Sequence, residues 1–480
     1  MSIRLAFLSI DNAELPRKRN CTGKRKGENA VRKTFRGGVH PADHKDLSRE
    51  AALRPFLPTG EMVYPTSMHI GKPAKPVVKK GDAVLVGQRL AEADGFVSAH
   101  VYSSCSGTVK AIEKRRLLSG AMGDCIVVEN DGQFTKMEGF GEREDIYGIA
   151  PKEILKRVGD AGIVGLGGAG FPTHVKLAPK NPVGIKYLIA NGAECEPYLT
   201  CNDQLMRTHA ADIVEGLEIM LRLFPNAQAV ICIEDNKPEA LEAMRAAAAG
   251  KQRFSVRALK AKYPQGGEKS LIKVIAGIDY PASMLPADVG CVVENVGTIY
   301  AIQRAVIFRE PLYRHVLTVT GDAVRTPGNF IVPDGASFAE LLEFAGGLKE
   351  GVNVKKALCG GPMMGIAMSS LDVPIQKQNN GLTLLINDEV EAVEAQMTAC
   401  LHCGRCTTVC PLGLMPQLMA DALIVRDYDR FENKLYGLEC MQCGSCTYVC
   451  PARRPLMQQF KQAKTEILAM KRAAAAGGKK

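Results

Sequence analysis

Hydrophobic and polar positions change rhythm several times along the chain. Across residues 37–128 apolar positions come in short runs broken by turn residues, which predicts short strands. Residues 77–82 and 84–88 carry glycines at hairpin corners, and Ser106-Gly107-Thr108-Val109 opens a further strand. From about residue 150 the rhythm lengthens. Pro151-Lys152-Glu153-Ile154-Leu155 predicts a helix with proline in its first turn. Residues 185–190 are a mostly apolar run, which predicts a buried strand ending at Asn191. Residues 212–223 and 238–249 have helical character, while 228–233 and 255–259 read as strands. This alternation predicts an α/β layer with parallel strands. Residues 317–347 read as strand, turn, strand and short helix, and Gly360 to Gly365 as a loop. Helices are predicted at 389–397, 415–424 and 428–438.

Composition narrows the class. The chain has 480 residues, 46% of them hydrophobic, and no apolar run approaches the roughly 18 residues of a membrane-spanning helix. A globular chain of about three domains is expected. Residues 1–10 are mostly apolar but lack a small-residue cleavage site before the basic run that begins at Arg17, so no signal peptide is expected. The formal net charge is +10. Much of it lies in a basic arm over residues 1–35, and residues 466–480 form a basic, alanine-rich tail. No aromatic residue interleaves the arm's basic positions from Arg17 until Phe35, which argues against nucleic acid. The arm reads either as a solvated tail or as a segment drawn to an anionic membrane surface, at about 1 kcal/mol per charge.

Eight of the sixteen cysteines form two copies of one run. The first is Cys400-x2-Cys403-x2-Cys406-x3-Cys410-Pro411, and the second is Cys440-x2-Cys443-x2-Cys446-x3-Cys450-Pro451. This spacing suits two [4Fe–4S] clusters, in which the fourth thiolate comes from the other run. Cys400, Cys403, Cys406 and Cys450 are then expected to bind one cluster, and Cys440, Cys443, Cys446 and Cys410 the other. Zinc needs only four ligands and leaves the third C-x2 step and the Cys-Pro ending unused. A disulfide framework does not suit a long chain without an export signal. Clusters of this kind move single electrons, and reduced ligands without an export signal point to the cytoplasm. Cys105, Cys125, Cys195, Cys201, Cys232, Cys291 and Cys359 read as buried small apolar residues.

A second constellation surrounds Gly165-Leu166-Gly167-Gly168-Ala169-Gly170-Phe171-Pro172-Thr173. Its glycines let backbone N–H groups close on a phosphate. It follows a helix rather than a first strand and has no terminal Lys-Ser/Thr pair, so it is neither a Rossmann nor a P-loop fingerprint. Asn191-Gly192-Ala193-Glu194-Cys195-Glu196-Pro197 falls at the C-terminal end of a predicted strand, where open α/β sheets bind ligands. Tyr263-Pro264-Gln265-Gly266-Gly267-Glu268 precedes a helix, and Val293-Glu294-Asn295-Val296-Gly297-Thr298 supplies an amide and a hydroxyl. Carboxylates suit ribose hydroxyls, and Asn and Thr suit the uracil edge of a flavin.

These four segments resemble the flavin- and NADH-binding subunit of respiratory complex I. The shared residues are Gly-Gly-Ala-Gly-Phe-Pro-Thr with Lys176 three positions on, Asn191, Glu194, Glu196 and Pro197. Departures are Ala193 for a usual aspartate, Gly267 for one of a glutamate pair with Glu268, and Glu294 for one of two asparagines. The resemblance implies non-covalent FMN, with NADH as substrate, at Gly165, Gly167, Gly168, Gly170, Phe171, Lys176, Asn191, Glu194, Glu196, Tyr263, Glu268, Asn295 and Thr298. Earlier, Val78-Lys79-Lys80-Gly81-Asp82, Gly87-Gln88-Arg89-Leu90-Ala91 and Ser106-Gly107-Thr108-Val109 resemble the barrel sandwich of biotinyl and lipoyl carriers. The carriers' lysine turn reads Ser98-Ala99-His100-Val101-Tyr102 here, so a docking module is implied rather than a swinging arm. Residues 317–347 resemble a soluble-ligand-binding β-grasp (SLBB) module.

Together with Phe35-Arg36-Gly37-Gly38-Val39-His40-Pro41, this order resembles the RnfC family, components of the Rnf ion-translocating oxidoreductase complex, over residues 35–465. The resemblance implies a multidomain α/β fold. It comprises a basic arm (1–35), a barrel-sandwich hybrid (36–130), a complex-I-like FMN/NADH domain (131–312), a β-grasp SLBB module (313–375), a helical ferredoxin-like dicluster domain (385–465) and a basic tail (466–480). It also implies a peripheral subunit of an ion-translocating NADH:ferredoxin oxidoreductase at the cytoplasmic face of the bacterial membrane. Its partners would be the other membrane Rnf subunits, including a ferredoxin-type one. The alternatives are a cobalamin reductase-like flavoprotein, or an electron-wire or scaffold subunit that binds no nucleotide.

Overall fold

The structure, a computed structural model, describes residues 34–388 and 396–477. Most of the basic arm, with Cys21, and most of the helix expected at 389–397 lie outside these residues. The first part of the chain forms β1 (Leu53–Pro55), β2 (Met62–Pro65), β3 (Lys75–Pro76), β4 (Ala83–Val84), β5 (Arg89–Glu92), β6 (Val101–Tyr102), β7 (Gly107–Arg116) and β8 (Met122–Asn130). Two small antiparallel sheets result, ordered β2-β8-β7-β4 and β3-β5-β6. Met62, Tyr64, Leu90, Val109, Ile126 and Val128 fill the space within this domain. The short strands predicted for residues 37–128 are present, and Gly81 and Gly87 take the positive φ that their corners need.

The α/β layer follows: α1 (Pro151–Asp160), α2 (Thr173–Lys176), β9 (Tyr187–Gly192), α3 (Cys201–Thr208), α4 (Ala210–Leu221), β10 (Gln228–Glu234), α5 (Pro238–Ala248), β11 (Phe254–Leu259), α6 (Glu268–Ala276), β12 (Cys291–Asn295) and α7 (Val296–Phe308). The strands form one fully parallel sheet, ordered β11-β10-β9-β12. Leu188, Ile189, Ala190, Ile231 and Val292 are nearly inaccessible because helices cover both faces, which explains their apolar runs. Truncating one of the larger of these side chains to alanine costs about 2–5 kcal/mol.

Next come β13 (Arg314–Thr320), β14 (Gly328–Pro333), α8 (Phe338–Phe344), β15 (Lys356–Cys359), β16 (Ile366–Ala367) and β17 (Gly381–Leu385). They form a mixed sheet ordered β1-β14-β13-β17-β15-β16. Its edge strand β1 comes from the first part of the chain and pairs parallel with Asn329 to Ile331. The dicluster region contains α9 (Arg405–Val409), α10 (Pro416–Ile424), α11 (Ser445–Tyr448) and α12 (Leu456–Gly477). The helix expected at 428–438 is present over residues 428–434, where it widens over Arg430–Lys434, and it stops short of a separate tight turn over Gly437–Glu439. Tyr436 adopts a left-handed φ of 54° between them and breaks the helical path.

Buried polar groups join the domains. Asn329 Nδ2 donates to the Ser48 carbonyl at 2.9 Å, and its Oδ1 accepts from the hydroxyls of Thr200 and Thr318 at 2.9 Å. Lys377 is buried and donates to the carbonyls of His100 at 2.6 Å and Gly162 at 2.8 Å. It thereby ties the β-grasp region to both preceding domains. Burial lowers its ammonium from 10.5 to about 8. Between those values the unfolded chain binds more protons than the folded chain, so this lysine's contribution to stability rises with pH through that window. In Lys377→Met that rise should be absent. The variant should also be about 1–3 kcal/mol less stable near neutrality, because two buried carbonyls lose their donor. Urea midpoints of parent and variant, followed from pH 8 to pH 10.5, check this, and parallel curves would rule it out.

Candidate functional site

The glycine loop lies between α1 and α2 and is closed by Gly165 N donating to the Phe171 carbonyl at 2.9 Å. Gly167 (φ 66°) and Gly170 (φ 70°) sit in the left-handed region that favours glycine. A side chain on Gly168 would meet no atom within 4 Å, so this part of the loop faces open space. Leu166 N donates to Thr298 Oγ1 at 2.9 Å, which docks the loop on the start of α7. Asn295 caps α7 by accepting from Gly297 N at 2.8 Å, and its Nδ2 would lie 3.6 Å from a β-carbon at Gly167. Phe171 is 37% exposed.

The acidic segment leaves the C-terminal end of β9. Asn191 Nδ2 donates to the Gly266 carbonyl at 2.9 Å, joining this strand end to the loop before α6. Glu194 turns back at φ 48° and accepts from the backbone N–H groups of Asn202 (2.7 Å) and Asp203 (3.2 Å) in the first turn of α3. Burial still raises its carboxyl above the ordinary range, against the pull of Lys45 and Lys237. Glu196 accepts from Met363 N at 3.1 Å and Met364 N at 2.7 Å in the loop after β15. Burial pushes its carboxyl up to about 7. Lys45 donates to the carbonyls of Glu196 at 2.9 Å and Leu199 at 2.5 Å, and Lys237 donates to the Ala193 carbonyl at 2.8 Å.

On the neighbouring side Lys176 pairs with Glu268 at 3.1 Å, lies 3.8 Å from Glu294 and donates to the Val293 carbonyl. Burial opposes its charge, but Glu294 and Glu268 outweigh this and hold its ammonium above the ordinary value. Burial pushes Glu294 up to about 7 despite Lys176. Tyr263 behaves differently. Its ring is buried, and its hydroxyl donates to the Cys443 carbonyl at 2.6 Å, in the cluster region.

Several buried polar atoms here have no hydrogen-bond partner within the protein: both carboxylate oxygens of Asp203, both side-chain atoms of Gln265, Glu294 Oε1 and Thr173 Oγ1. Unmatched buried polar atoms are rare, and those on the segments of this site are open to a polar ligand. An open glycine loop docked on Thr298 and Asn295 is a shape that fits the phosphate of a flavin nucleotide. Asp203, Gln265, Lys45 and Lys237 are additions to the residues expected from sequence. Gln265 lies within a recognised segment and Asp203 close to one, whereas nothing in the sequence marks the two lysines as buried.

The cysteines converge on two cavities. One is lined by Cys400, Cys403, Cys406 and Cys450, with Leu401, Gln417 and Arg454. The other is lined by Cys410, Cys440, Cys443 and Cys446, with Met419, Met441 and Phe460. Each cavity thus takes three cysteines from one run and the fourth from the other. Cys403 is exposed, whereas Cys443 is buried against the α/β layer. Of the cysteines outside the runs, Cys105, Cys125, Cys201, Cys232, Cys291 and Cys359 are buried, and Cys195 is half-buried.

Four family models match the chain. They are the RnfC barrel sandwich hybrid domain at residues 33–133, the Nuo51 FMN-binding domain at 158–304, the SLBB domain at 316–367 and the 4Fe-4S dicluster domain at 392–451. The corresponding component of the proton-translocating ferredoxin:NAD(+) oxidoreductase complex of Clostridium ljungdahlii is 42% identical over 391 residues, 81% of this chain and 84% of that protein. That of the Na(+)-translocating ferredoxin:NAD(+) oxidoreductase complex of Acetobacterium woodii is 42% identical over 443 residues, 92% and 98% of the two chains. Among solved structures, an NAD+-reducing [NiFe]-hydrogenase in its H2-reduced state aligns with a TM-score of 0.46 at 20% identity, over 68% of this chain and 67% of that one.

The ion-pair geometry at Lys176 makes a direct prediction. Lys176→Met leaves Glu294 buried without its cation, so Glu294 should keep its proton to higher pH. The protonated-carboxyl infrared band at neutral pH should grow relative to the parent. An unchanged band would show that burial alone sets Glu294.

Proposed function

The chain belongs to the RnfC family of ion-translocating ferredoxin:NAD(+) oxidoreductase complexes, and we propose on that premise that it links NADH to the membrane part of such a complex at the cytoplasmic face of a bacterial membrane. The observation that carries this reading is the contact of the flavin-side loop at Tyr263 with the cluster region at Cys443. FMN accepts the two electrons of a hydride together and releases them singly, which is the form that iron–sulfur clusters take.

The residues divide this work. The backbone of Gly165, Gly167, Gly168 and Gly170 closes on phosphate, and Phe171 shields the loop. Lys176 offers a positive charge held ready by Glu268 and Glu294. Asn191, Asn295 and Thr298 shape the polar edge of the flavin site, and Glu194 and Glu196 lie toward the nucleotide. Tyr263 orients the cluster side. Cys410, Cys440, Cys443 and Cys446 hold the proximal cluster, next to the α/β layer. Cys400, Cys403, Cys406 and Cys450 hold the distal one, and exposed Cys403 marks the exit toward a ferredoxin-type partner. Among the described residues no helix is long and apolar enough to cross a membrane. Ion movement is therefore assigned to the partner proteins of the complex.

Anaerobic NADH added to the chain reconstituted with FMN should bleach flavin absorbance and then cluster absorbance. No bleaching would leave a wire or scaffold protein that binds no nucleotide. Cys450→Ala should lose the distal cluster and retain about four irons, as crossed ligation requires. Loss of the proximal cluster instead would refute that pairing.

A further inference from the structure

The run Phe35-Arg36-Gly37-Gly38-Val39-His40-Pro41 has no part in the chemistry above, yet it lies between the flavin-side loop and the proximal cavity. Val39 N donates to the Tyr263 carbonyl at 2.8 Å, and Tyr263 N donates back to the Val39 carbonyl at 2.9 Å. One residue earlier, Gly38 N donates to the carbonyl of Val409, the neighbour of Cys410, at 2.8 Å. Lys262 Nζ donates to the Phe35 carbonyl at 2.8 Å and lies 4.5 Å from the centre of the Phe35 ring. Three backbone segments, far apart in sequence, are thus laced together through residues 35–39.

This lacing admits only glycine at two positions. Gly37 and Gly38 have φ of 81° and 79°, in the left-handed region. A β-carbon at Gly37 would sit 2.8 Å from the Cys410 carbonyl oxygen, and one at Gly38 would sit 2.6 Å from the Tyr263 carbonyl oxygen. Both obstacles are backbone and cannot swing aside. The Tyr263 hydroxyl, bonded to the Cys443 carbonyl at 2.6 Å, makes a second tie to the same cavity. Val39, Tyr263, Cys195, Met363, Val409 and Met441 pack into one apolar cluster around these bonds.

We propose that residues 35–39 are a strap that sets the distance between the flavin and the proximal cluster, with Gly37, Gly38 and Tyr263 as positioning residues for the electron step between them. The proposal rests on the preceding reading that FMN binds at the glycine loop and a cluster binds at Cys410, Cys440, Cys443 and Cys446. Each transfer moves one electron from reduced flavin to the oxidised cluster. The first electron passes on to the distal cluster, a second transfer then returns the flavin to its oxidised form, and its two protons go to solvent. Orbital overlap falls steeply with separation, so a small shift of the cavity slows the step without removing either group.

The test uses the full chain carrying FMN and both clusters. The flavin is reduced by light without NADH, and reduction of the clusters is followed by absorbance and electron paramagnetic resonance. Gly38→Ala should keep the parent's flavin and iron content but slow cluster reduction several-fold, as a small outward shift of the cavity would. Deuterium exchange should rise together in residues 262–267 and 407–411. Tyr263→Phe, which removes one hydroxyl, should slow the step less and keep its iron. It decides the matter if Gly38→Ala does not fold. Parent rates in the folded variants would overturn the proposal, as would loss of the proximal irons in Gly38→Ala, since the strap would then build the cluster rather than place it. A parent chain whose light-reduced flavin reduces no cluster would instead overturn the functional reading beneath it.

Discussion

A backbone carbonyl removed from water must find a donor, and the seams between the domains of this chain are built around that demand. Lys45 serves the carbonyls of Glu196 and Leu199, Lys237 that of Ala193, Lys377 those of His100 and Gly162, and the Tyr263 hydroxyl that of Cys443. Each donor crosses from one structural unit to another or pins a turn at a boundary. Apolar burial supplies attraction, but it is non-directional and leaves sliding cheap. A hydrogen bond to a buried carbonyl fixes both distance and angle. Losing the donor strands the acceptor at a cost of about 1–3 kcal/mol. For an electron-transfer chain this rigidity has a purpose, because cofactors on different domains must keep a constant separation.

The buried cations constrain the carboxylates of the α/β layer in turn. Burial lowers the ammonium of Lys45, while Glu194 and Glu234 support its charge. Glu194 and Glu196 are themselves oriented by backbone N–H groups from α3 and from the loop after β15. These acids therefore shape the site as well as facing it. Glu194 fixes the start of α3, and Glu196 anchors the Met363–Met364 turn, whose Met363 packs with Tyr263 and Cys443.

Much of this was legible in the sequence wherever the signal is local. Ligand spacing identified the cysteine runs because each loop is built from neighbouring residues. Apolar runs identified the parallel strands because both faces of that sheet are covered. What escaped depends on distant partners. Asn329 meets Ser48 across 281 positions and Thr200 across 129. No local pattern marks Lys45, Lys237 or Lys377 as buried. The region 428–438 has helical composition, yet Tyr436 takes a left-handed turn that brings Gly437 against Phe431. Tyr263 was legible as part of a functional segment, but its partner, a carbonyl 180 positions away, was not.

At Gly267, where this chain departs from the complex I pattern, the flavin-side loop meets the second cysteine run. The resemblance leads one to expect a glutamate there, paired with Glu268. A β-carbon at this position would collide with Met441 Cε, next to Cys440 in the second cysteine run, and would lie 3.3 Å from the Pro264 carbonyl oxygen. A larger residue here would require the Met441 methyl, the end of a flexible side chain that lines the proximal cavity, to swing aside. Glycine removes that conflict and lets the cluster loop rest directly on the flavin-side loop. The charge at the site is kept by Glu268 and by Glu294, which stands where the pattern has an asparagine and lies 3.8 Å from Lys176. Glu268 and Glu294 thus face the same lysine from two segments, the start of α6 and the end of β12, that lie 26 positions apart in sequence.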